Sequence, residues 1–157
     1  MKKVKLLAMD VDGTMTDGKI YMGISGESFK VFDIKDGYAI HELLPKYGIK
    51  TAIITGRSSK IVENRAKELD VDFVFQGVEN KLMVLKKLAD KINISLSEVA
   101  YIGDDISDLE CINESGYSAC PADAVVAVSH SVKFICKNKC GDGAVREFAE
   151  YLVNSMD

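Results

Sequence analysis

The sequence has no block of basic residues, and it has no apolar run long enough for a membrane span or a signal-peptide core. Lysine and arginine number 20 against 24 aspartate and glutamate residues, a net charge of −4. This balance argues against nucleic acid or an anionic membrane as the main partner. The apolar stretch that precedes Asp10 is short, so we expect a cytoplasmic protein with no membrane contact.

The chain also lacks an interdomain linker, an internal repeat and a low-complexity segment. Its 157 residues are enough to bury a substantial core, and its 47% hydrophobic and 28% charged residues are typical of a globular protein. We therefore expect one domain over residues 1–157.

The few cysteines do not have the spacing of a typical structural zinc site. The four cysteines are Cys111, Cys120, Cys136 and Cys140. The spacing of Cys136 and Cys140 loosely resembles a zinc site, but there is no second close pair, and His130 is isolated. In a reducing compartment these residues are expected to be thiols.

Apolar runs alternate with segments of helical spacing along most of the chain. The predicted strands cover residues 5–9, 50–54, 73–75, 99–102, 117–120 and 134–136. The predicted helices cover residues 38–47, 60–69, 81–92 and 144–153, with one more ending near residue 114. This alternation predicts an α/β fold, a Rossmann-like three-layer sandwich with a mostly parallel sheet.

A β-hairpin is predicted at about residues 19–33, interrupting the strand–helix alternation. Two short runs of alternating polarity flank a glycine-bounded loop at residues 23–27. Phe29 and Phe32 place apolar side chains on both faces of this ribbon. Because a lone two-stranded ribbon is marginal in water, it must either pack on the body of the protein or meet a partner chain, and we favour a partner chain.

Polar side chains collect where the predicted strands end. They are Asp10, Asp12, Thr55, Arg57, Asp104 and Asp105, with Lys81 near the third crossover. Right-handed crossovers place the carboxyl ends of parallel strands at one edge of the sheet, where ligands bind in open α/β folds. We therefore expect these side chains to form one site.

The types of side chain at this edge suit phosphoryl transfer. Asp10 and Asp12, two positions apart, would repel each other without a cation, and their hard oxygens favour Mg²⁺. One carboxylate can attack phosphorus and the other can move a proton. Thr55 and Lys81 can hold the phosphoryl oxygens.

The order of these motifs resembles that of the haloacid dehalogenase superfamily. Asp10-Val-Asp-Gly-Thr is followed by Thr55-Gly56, by Lys81, and by Gly103-Asp-Asp-x-x-Asp108. The resemblance implies that Asp10 is the nucleophile and Asp12 the general acid/base. It implies Mg²⁺ bound by Asp10, the Asp12 main-chain carbonyl and Asp104. Thr55 and Lys81 would bind the phosphoryl group, and Asp105 and Asp108 would orient Lys81 and the metal's waters.

A closer resemblance is to the 3-deoxy-D-manno-octulosonate 8-phosphate phosphatase family and its nine-carbon relatives. It is carried by residues 16–18, 20–23, 36–37, 53–57, 75–77, 99–105 and 143–147. The resemblance implies a hairpin in place of a cap domain, a homotetramer with a central barrel of hairpins, and a sugar-acid phosphate as substrate. The substrate contacts implied are Asp12, Asp33, Ile34, Lys35, Asp36, Gly37, His41, Gly56, Arg57, Arg65 and Lys81.

Three positions bear on which sugar acid is used. Asp33 and His41 stand where the family often has Asn and Arg. The nine-carbon relatives tend to have Glu at the position of Arg57, so Arg57 favours the eight-carbon substrate. A nine-carbon 2-keto-3-deoxynononate or N-acylneuraminate 9-phosphate remains the alternative substrate.

Two hypotheses from other functional classes are also open. A receiver-like phospho-acceptor domain shares the acids, a Thr and a Lys, but its acceptor Asp follows the third strand, where this chain has none. A non-catalytic oligomerisation module of the same fold is disfavoured by the intact acids.

Overall fold

Residues 3–156 are described by a computed structural model, and within them six parallel strands form the central sheet. The strands are β1 (Leu6–Met9), β4 (Lys50–Ile54), β5 (Phe73–Phe75), β6 (Val99–Ile102), β7 (Tyr117–Cys120) and β8 (Phe134–Ile135). Their order is β5-β4-β1-β6-β7-β8, so β1 lies in the middle between β4 and β6. The α/β fold with a parallel sheet is confirmed.

Helices cover both faces of this sheet. They are α1 (Ile34–Tyr38), α2 (Leu44–Lys46), α3 (Lys60–Glu68), α4 (Lys81–Lys91), α5 (Leu109–Glu114), α6 (Val126–Ser129) and α7 (Ala144–Asn154). A π-helical segment, Ala39–Leu43, joins α1 to α2, and short 3₁₀ turns precede β6 and α5. Every helix within residues 3–156 falls short of the length and apolar character that crossing a bilayer requires.

The core consists of two apolar layers, one on each face of the sheet. Along β1, Leu7 and Met9 enter the layer shared with α7, while Leu6 and Ala8 enter the layer shared with α4 and α5. All four side chains are fully buried. Alternate residues of a strand point to opposite faces, so a strand covered on both sides is largely apolar.

The predicted hairpin is present as β2 (Tyr21–Gly23) and β3 (Gly26–Phe29), an antiparallel pair. The expected five-residue loop is wrong, because Gly23 pairs with Gly26 and two residues make the connection. Gly26 has a φ of +115°, which suits glycine at a tight turn. Met22 is 66% exposed and Phe29 50% exposed, so apolar side chains of the ribbon face solvent in the single chain.

The first helix begins four residues before the predicted start at residue 38. Asp33 adopts an extended conformation, and its carboxylate accepts the N–H groups of Lys35 and Asp36. This is an N-cap, and it places Asp36 and Gly37 inside the helix instead of ahead of it.

The cysteines are free thiols, as expected. Cys136 is buried and donates to the carbonyl of Ala144, while the Cys140 thiol donates to Asp123 at 3.3 Å. Within residues 3–156, no group of potential metal ligands includes either cysteine.

Candidate active site

The strand order brings the predicted strand-end residues to one edge of the sheet. Asp10 directly follows β1, Thr55 directly follows β4, and Asp104 is the second residue after β6. Because β1 pairs with both β4 and β6, Asp10 lies between the other two strand ends. Asp10 and Thr55 are buried, and Asp104 is partly buried.

Three carboxylates meet at this edge, those of Asp10, Asp104 and Asp108, each with an oxygen within 4.8 Å of the others. The Thr14 hydroxyl donates to Asp104 at 3.1 Å. A Cβ atom on Gly13 would lie 2.0 Å from a carboxylate oxygen of Asp104, and Gly13 has a φ of +82°. Glycine at position 13 therefore allows the loop after β1 to approach Asp104 closely.

Lys81, the first residue of α4, is the cation at the centre of the cluster. Its Nζ atom lies 3.0 Å from Asp10 and 2.8 Å from Asp108. Burial works to lower the pKa of Lys81, but the carboxylates of Asp10 and Asp108 outweigh it and raise that pKa. Asn80 caps the helix by accepting the N–H of Met83, which fixes where α4 starts.

Asp108 is fully buried, and hydrogen bonds occupy both of its carboxylate oxygens. One accepts from Lys81 and from the Tyr101 hydroxyl at 2.7 Å. The other accepts the N–H groups of Asp104 at 3.0 Å and Asp105 at 3.2 Å. With its oxygens so engaged, Asp108 acts as an anchor for Lys81 and the β6 loop and is poorly suited to bind a cation directly.

The remaining acids fit a divalent cation. Lys81 sets one positive charge against three carboxylates, which leaves negative charge in excess. Burial and the neighbouring charge of Asp108 raise the pKa of Asp10, and burial and Asp10 raise the pKa of Asp104 to about 8. One buried and one partly buried carboxylate that disfavour ionisation side by side offer the hard oxygen ligands that Mg²⁺ prefers, and the cation offsets their charge.

Asp12 lies outside this cluster and makes a different contact. Its Oδ1 atom is 2.5 Å from Nζ of Lys30, which follows β3 of the hairpin, and 3.8 Å from the Arg57 guanidinium. Glu27 completes the group, 3.0 Å from Lys30 and 3.2 Å from Arg57. Two acids and two bases thus join the hairpin to the loops after β1 and β4.

Two other predicted residues, Gly56 and Asp105, lie at the same edge. Gly56 follows Thr55, and a Cβ on it would make only an ordinary contact, 3.6 Å from the Val78 carbonyl. Asp105 is exposed, and its carboxylate accepts the N–H of Ile106 at 2.7 Å. Asp105 is not a member of the three-acid group, and its observed contact is a cap of the following 3₁₀ turn.

The predicted sugar contacts on α1 differ in their exposure to solvent. Ile34 is 84% exposed, and Lys35 lies 3.4 Å from Asp33. Asp36 instead is buried, and its carboxylate accepts the N–H of Arg146 at 2.9 Å, at the start of α7. In the single chain, Asp36 therefore joins α1 to the C-terminal helix.

Gly37, His41 and Arg65 line a groove of about 300 Å³ together with Ile34, Tyr38, Glu42, Glu68 and Leu69. Arg65 pairs with Glu68 at 2.9 Å, and His41 lies 3.3 Å from Asp70. None of the strand-end acids lines this groove. Within one chain, the predicted substrate residues thus divide between the acid cluster and this separate groove.

Three residues of the site are absent from the sequence-based prediction. Glu27 lies in β3 and Lys30 directly follows it, in a segment of alternating polarity where charged residues are normally solvent-exposed, so the pattern gives no signal for them. Tyr101 is the one polar side chain of β6, and its hydroxyl requires a partner when buried. That requirement is a signal that could have identified Tyr101 as a residue of the site.

Comparison with known proteins gives a consistent result. Residues 74–148 match the family model of haloacid dehalogenase-like hydrolases. The chain is 40% identical to the 3-deoxy-D-manno-octulosonate 8-phosphate phosphatase of Escherichia coli strain K12 over 152 residues, which are 97% of this chain and 80% of that protein.

Two crystal structures are similarly close. The phosphatase of the same name from Yersinia pestis superposes with a TM-score of 0.94 at 39% identity, over 98% of this chain and 83% of that one. The one from Moraxella catarrhalis, in complex with a magnesium ion, a phosphate ion and a KDO molecule, gives 0.93 at 40% identity, over 97% and 87% of the two chains.

Proposed function

This chain belongs to the 3-deoxy-D-manno-octulosonate 8-phosphate phosphatases among the haloacid dehalogenase-like hydrolases, and from that membership we propose its reaction. It is a phosphatase that hydrolyses 3-deoxy-D-manno-octulosonate 8-phosphate to the free sugar acid and phosphate, with Mg²⁺ as cofactor. The observation that carries the proposal is the cluster of buried Asp10 and Lys81 with partly buried Asp104, in a chain so similar to these enzymes.

In the proposed reaction, a carboxylate oxygen of Asp10 attacks phosphorus and the bond from phosphorus to the sugar oxygen breaks. Asp12 donates a proton to that leaving oxygen. Asp12, now a carboxylate, then takes a proton from the water that attacks the aspartyl phosphate, which releases phosphate and restores Asp10. Thr55 and Lys81 hold the phosphoryl oxygens in both steps.

The residues proposed to hold the metal are Asp10, the main-chain carbonyl of Asp12, and Asp104. Bound there, Mg²⁺ supplies positive charge that offsets the carboxylates and the phosphoryl group. Asp108 contributes indirectly, because it anchors Lys81 through a 2.8 Å ion pair. Asp105 holds the loop after β6 in shape by capping its 3₁₀ turn.

A homotetramer would explain why the groove lined by Gly37, His41 and Arg65 lies apart from the acid cluster within one chain. The groove and the exposed apolar side chains of the hairpin lie on surfaces that a neighbouring subunit could cover. We propose that this assembly, in the cytoplasm, brings one subunit's groove residues to another subunit's acid cluster. The groove and α1 residues proposed to contact the sugar acid are Asp33, Ile34, Lys35, Asp36, Gly37, His41 and Arg65, and Gly56 and Arg57 would contact it from the acid cluster's own subunit.

The substrate is tested by assaying phosphate release from the eight-carbon and nine-carbon keto-sugar acid phosphates side by side, with Mg²⁺ present. We expect the eight-carbon compound to have the higher kcat/KM. A higher kcat/KM for a nine-carbon compound would overturn the choice of sugar. Failure to hydrolyse any sugar-acid phosphate would overturn the proposed reaction.

The nucleophile is tested with Asp10→Asn, which keeps the side-chain shape but removes the attacking carboxylate. We expect no measurable turnover and an unchanged circular dichroism spectrum. Asp90→Asn, an exposed acid on α4, is the matched control and should keep wild-type activity. Full activity of Asp10→Asn would contradict the assignment.

A further inference from the structure

Lys30 is a buried lysine on the element that replaces a cap. Its side chain is only 1% exposed, although it directly follows an exposed strand of the hairpin. Lysine is seldom buried unless its ammonium group is paired. Here Nζ lies 2.5 Å from the Asp12 Oδ1 atom and 3.0 Å from Glu27.

The contact with Asp12 differs from an ordinary surface ion pair. Exposed pairs contribute little because water screens them and their side chains remain mobile. Lys30 is shielded from water, whereas Arg57, the other cation of the group, is 46% exposed and lies farther from Asp12, at 3.8 Å. Lys30 is therefore the cation that fixes the Asp12 carboxylate.

The main chain around Lys30 is also held in place. The N–H of Asp17 donates to the carbonyl of Val31 at 3.3 Å, and Thr16 forms a β-bridge with Phe32. Thr16 in turn accepts the N–H groups of Gly13 and Gly18. These bonds tie the end of the hairpin to the loop that carries Asp12, so the ammonium and the carboxylate are held in register.

We propose that Lys30 is a positioning residue for Asp12, holding its carboxyl group in the orientation in which it donates a proton to the leaving oxygen and then, as a carboxylate, accepts one from water. Glu27 holds Lys30 from the other side, so the hairpin itself sets the geometry of proton transfer. The inference rests on the proposed phosphatase reaction, in which Asp12 moves the proton.

The test compares Lys30→Met and Lys30→Arg with the wild-type protein. Lys30→Met keeps an unbranched side chain, one atom shorter, but removes its charge. We expect kcat to fall by roughly 100-fold because misplacing a catalytic group by about 1 Å costs that much. KM should stay within about threefold, because Lys30 acts on the proton donor and not on substrate binding. Lys30→Arg should recover at least about a tenth of the wild-type kcat, because it restores a cation that can reach Asp12.

The matched control is Lys19→Met, an exposed lysine at the start of the hairpin region, which should retain wild-type kcat. Crystal structures of wild type and Lys30→Met, with the melting temperature of each, give a readout independent of activity. We expect the Asp12 carboxylate to turn to a different orientation in the variant. If Lys30→Met does not fold, Lys30→Gln replaces it, with an expected kcat between those of the Met and Arg variants.

A kcat within threefold of wild type in the folded variant would overturn the inference, and so would an unchanged orientation of Asp12. A wild-type protein that releases no phosphate from any sugar acid would instead overturn the proposed function. In that case the crystallographic comparison of Asp12 still decides whether Lys30 positions it.

Discussion

The ammonium group of Lys81 lies 3.0 Å from the carboxylate of Asp10, and both side chains are buried at the carboxyl edge of the sheet. The same ammonium group is bound to Asp108 at 2.8 Å. A single lysine thus stabilises the proposed nucleophile and anchors it to the loop after β6.

Replacing Lys81 with methionine should lower kcat/KM by about 100- to 1,000-fold, because a preorganised positive group near the phosphoryl oxygens is lost. Without Mg²⁺, the free energy of unfolding should fall by roughly 3 kcal/mol, since two buried carboxylates lose their counter-charge. Steady-state kinetics and urea unfolding measure the two effects. Lys86→Met, an exposed position on the same helix, should change neither quantity, and equal losses in both variants would contradict the assignment.

The hydroxyl of Tyr101 is expected to stabilise the buried carboxylate of Asp108. Tyr101→Phe removes the 2.7 Å hydrogen bond to Asp108 without changing the packing of the ring. Because the acceptor is charged and buried, the free energy of unfolding should fall by about 2 kcal/mol. Urea unfolding of Tyr101→Phe beside the more exposed control Tyr151→Phe measures this loss, and a difference below roughly 0.5 kcal/mol would show that the bond contributes little.

Magnesium should stabilise the folded protein as well as support turnover. A ligand that binds only the folded state at 100 times its dissociation constant adds about 2.7 kcal/mol. We therefore expect Mg²⁺ to raise the melting temperature of the wild type, and EDTA to abolish both this increase and phosphate release. Asp104→Asn should lose the increase, whereas retention of it would place the metal elsewhere.

Asp36 should make stability depend on pH. Burial raises its pKa from the usual 3.8 to about 6, so the folded state binds this proton more tightly than the unfolded chain. The associated stabilisation is complete below about pH 4 and is lost as the pH rises through 6, a change of roughly 3 kcal/mol.

Asp36→Asn keeps an acceptor for the N–H of Arg146 but cannot ionise. The difference in free energy of unfolding, variant minus wild type, should increase by roughly 3 kcal/mol from pH 4 to pH 7, because only the wild type loses stability as the pH rises. Urea unfolding at each pH measures this difference. Asp142→Asn, an exposed acid near α7, should follow the wild-type profile. A constant difference between Asp36→Asn and wild type would contradict the raised pKa.

The proposed tetramer predicts that the hairpin face is buried in solution. Light scattering should give four times the mass of the chain for the wild type. The double variant Met22→Glu with Phe29→Glu places charge on the exposed apolar face and should dissociate it. A wild-type monomer at working concentration would remove the proposed role of the hairpin and of the groove on α1.

Local patterns predicted the sheet and most of the helices from sequence alone. The buried residues of the strands from Lys50 to Ile54 and from Val99 to Ile102 are mostly apolar because both faces of the sheet are covered, and such runs are unambiguous when turn residues bound them. Asp10 and Asp104 were predicted to meet for a topological reason, since parallel strands place their carboxyl ends together.

The contacts that sequence could not predict are long-range or atypical of their residue type. Asp36 and Arg146 are 110 positions apart, and neither belongs to a motif that links them. Lys30 occupies a position whose pattern indicates solvent, yet it is buried by Asp12 and Glu27 from two different segments. The early start of α1 depends on the cap formed by Asp33, whose side chain could equally have faced a ligand.

The sheet edge holds the side chains around Asp10, whereas the hairpin and residues 33–37 stand outside the sheet. Most of the proposed ester-cleaving side chains therefore follow strands of the sheet, whereas most of the proposed sugar contacts lie in residues 33–37, outside it. Exchanges in the outer parts can retune which carbohydrate is accepted while the ester-cleaving residues are inherited intact, so enzymes of different preference can descend from one such scaffold.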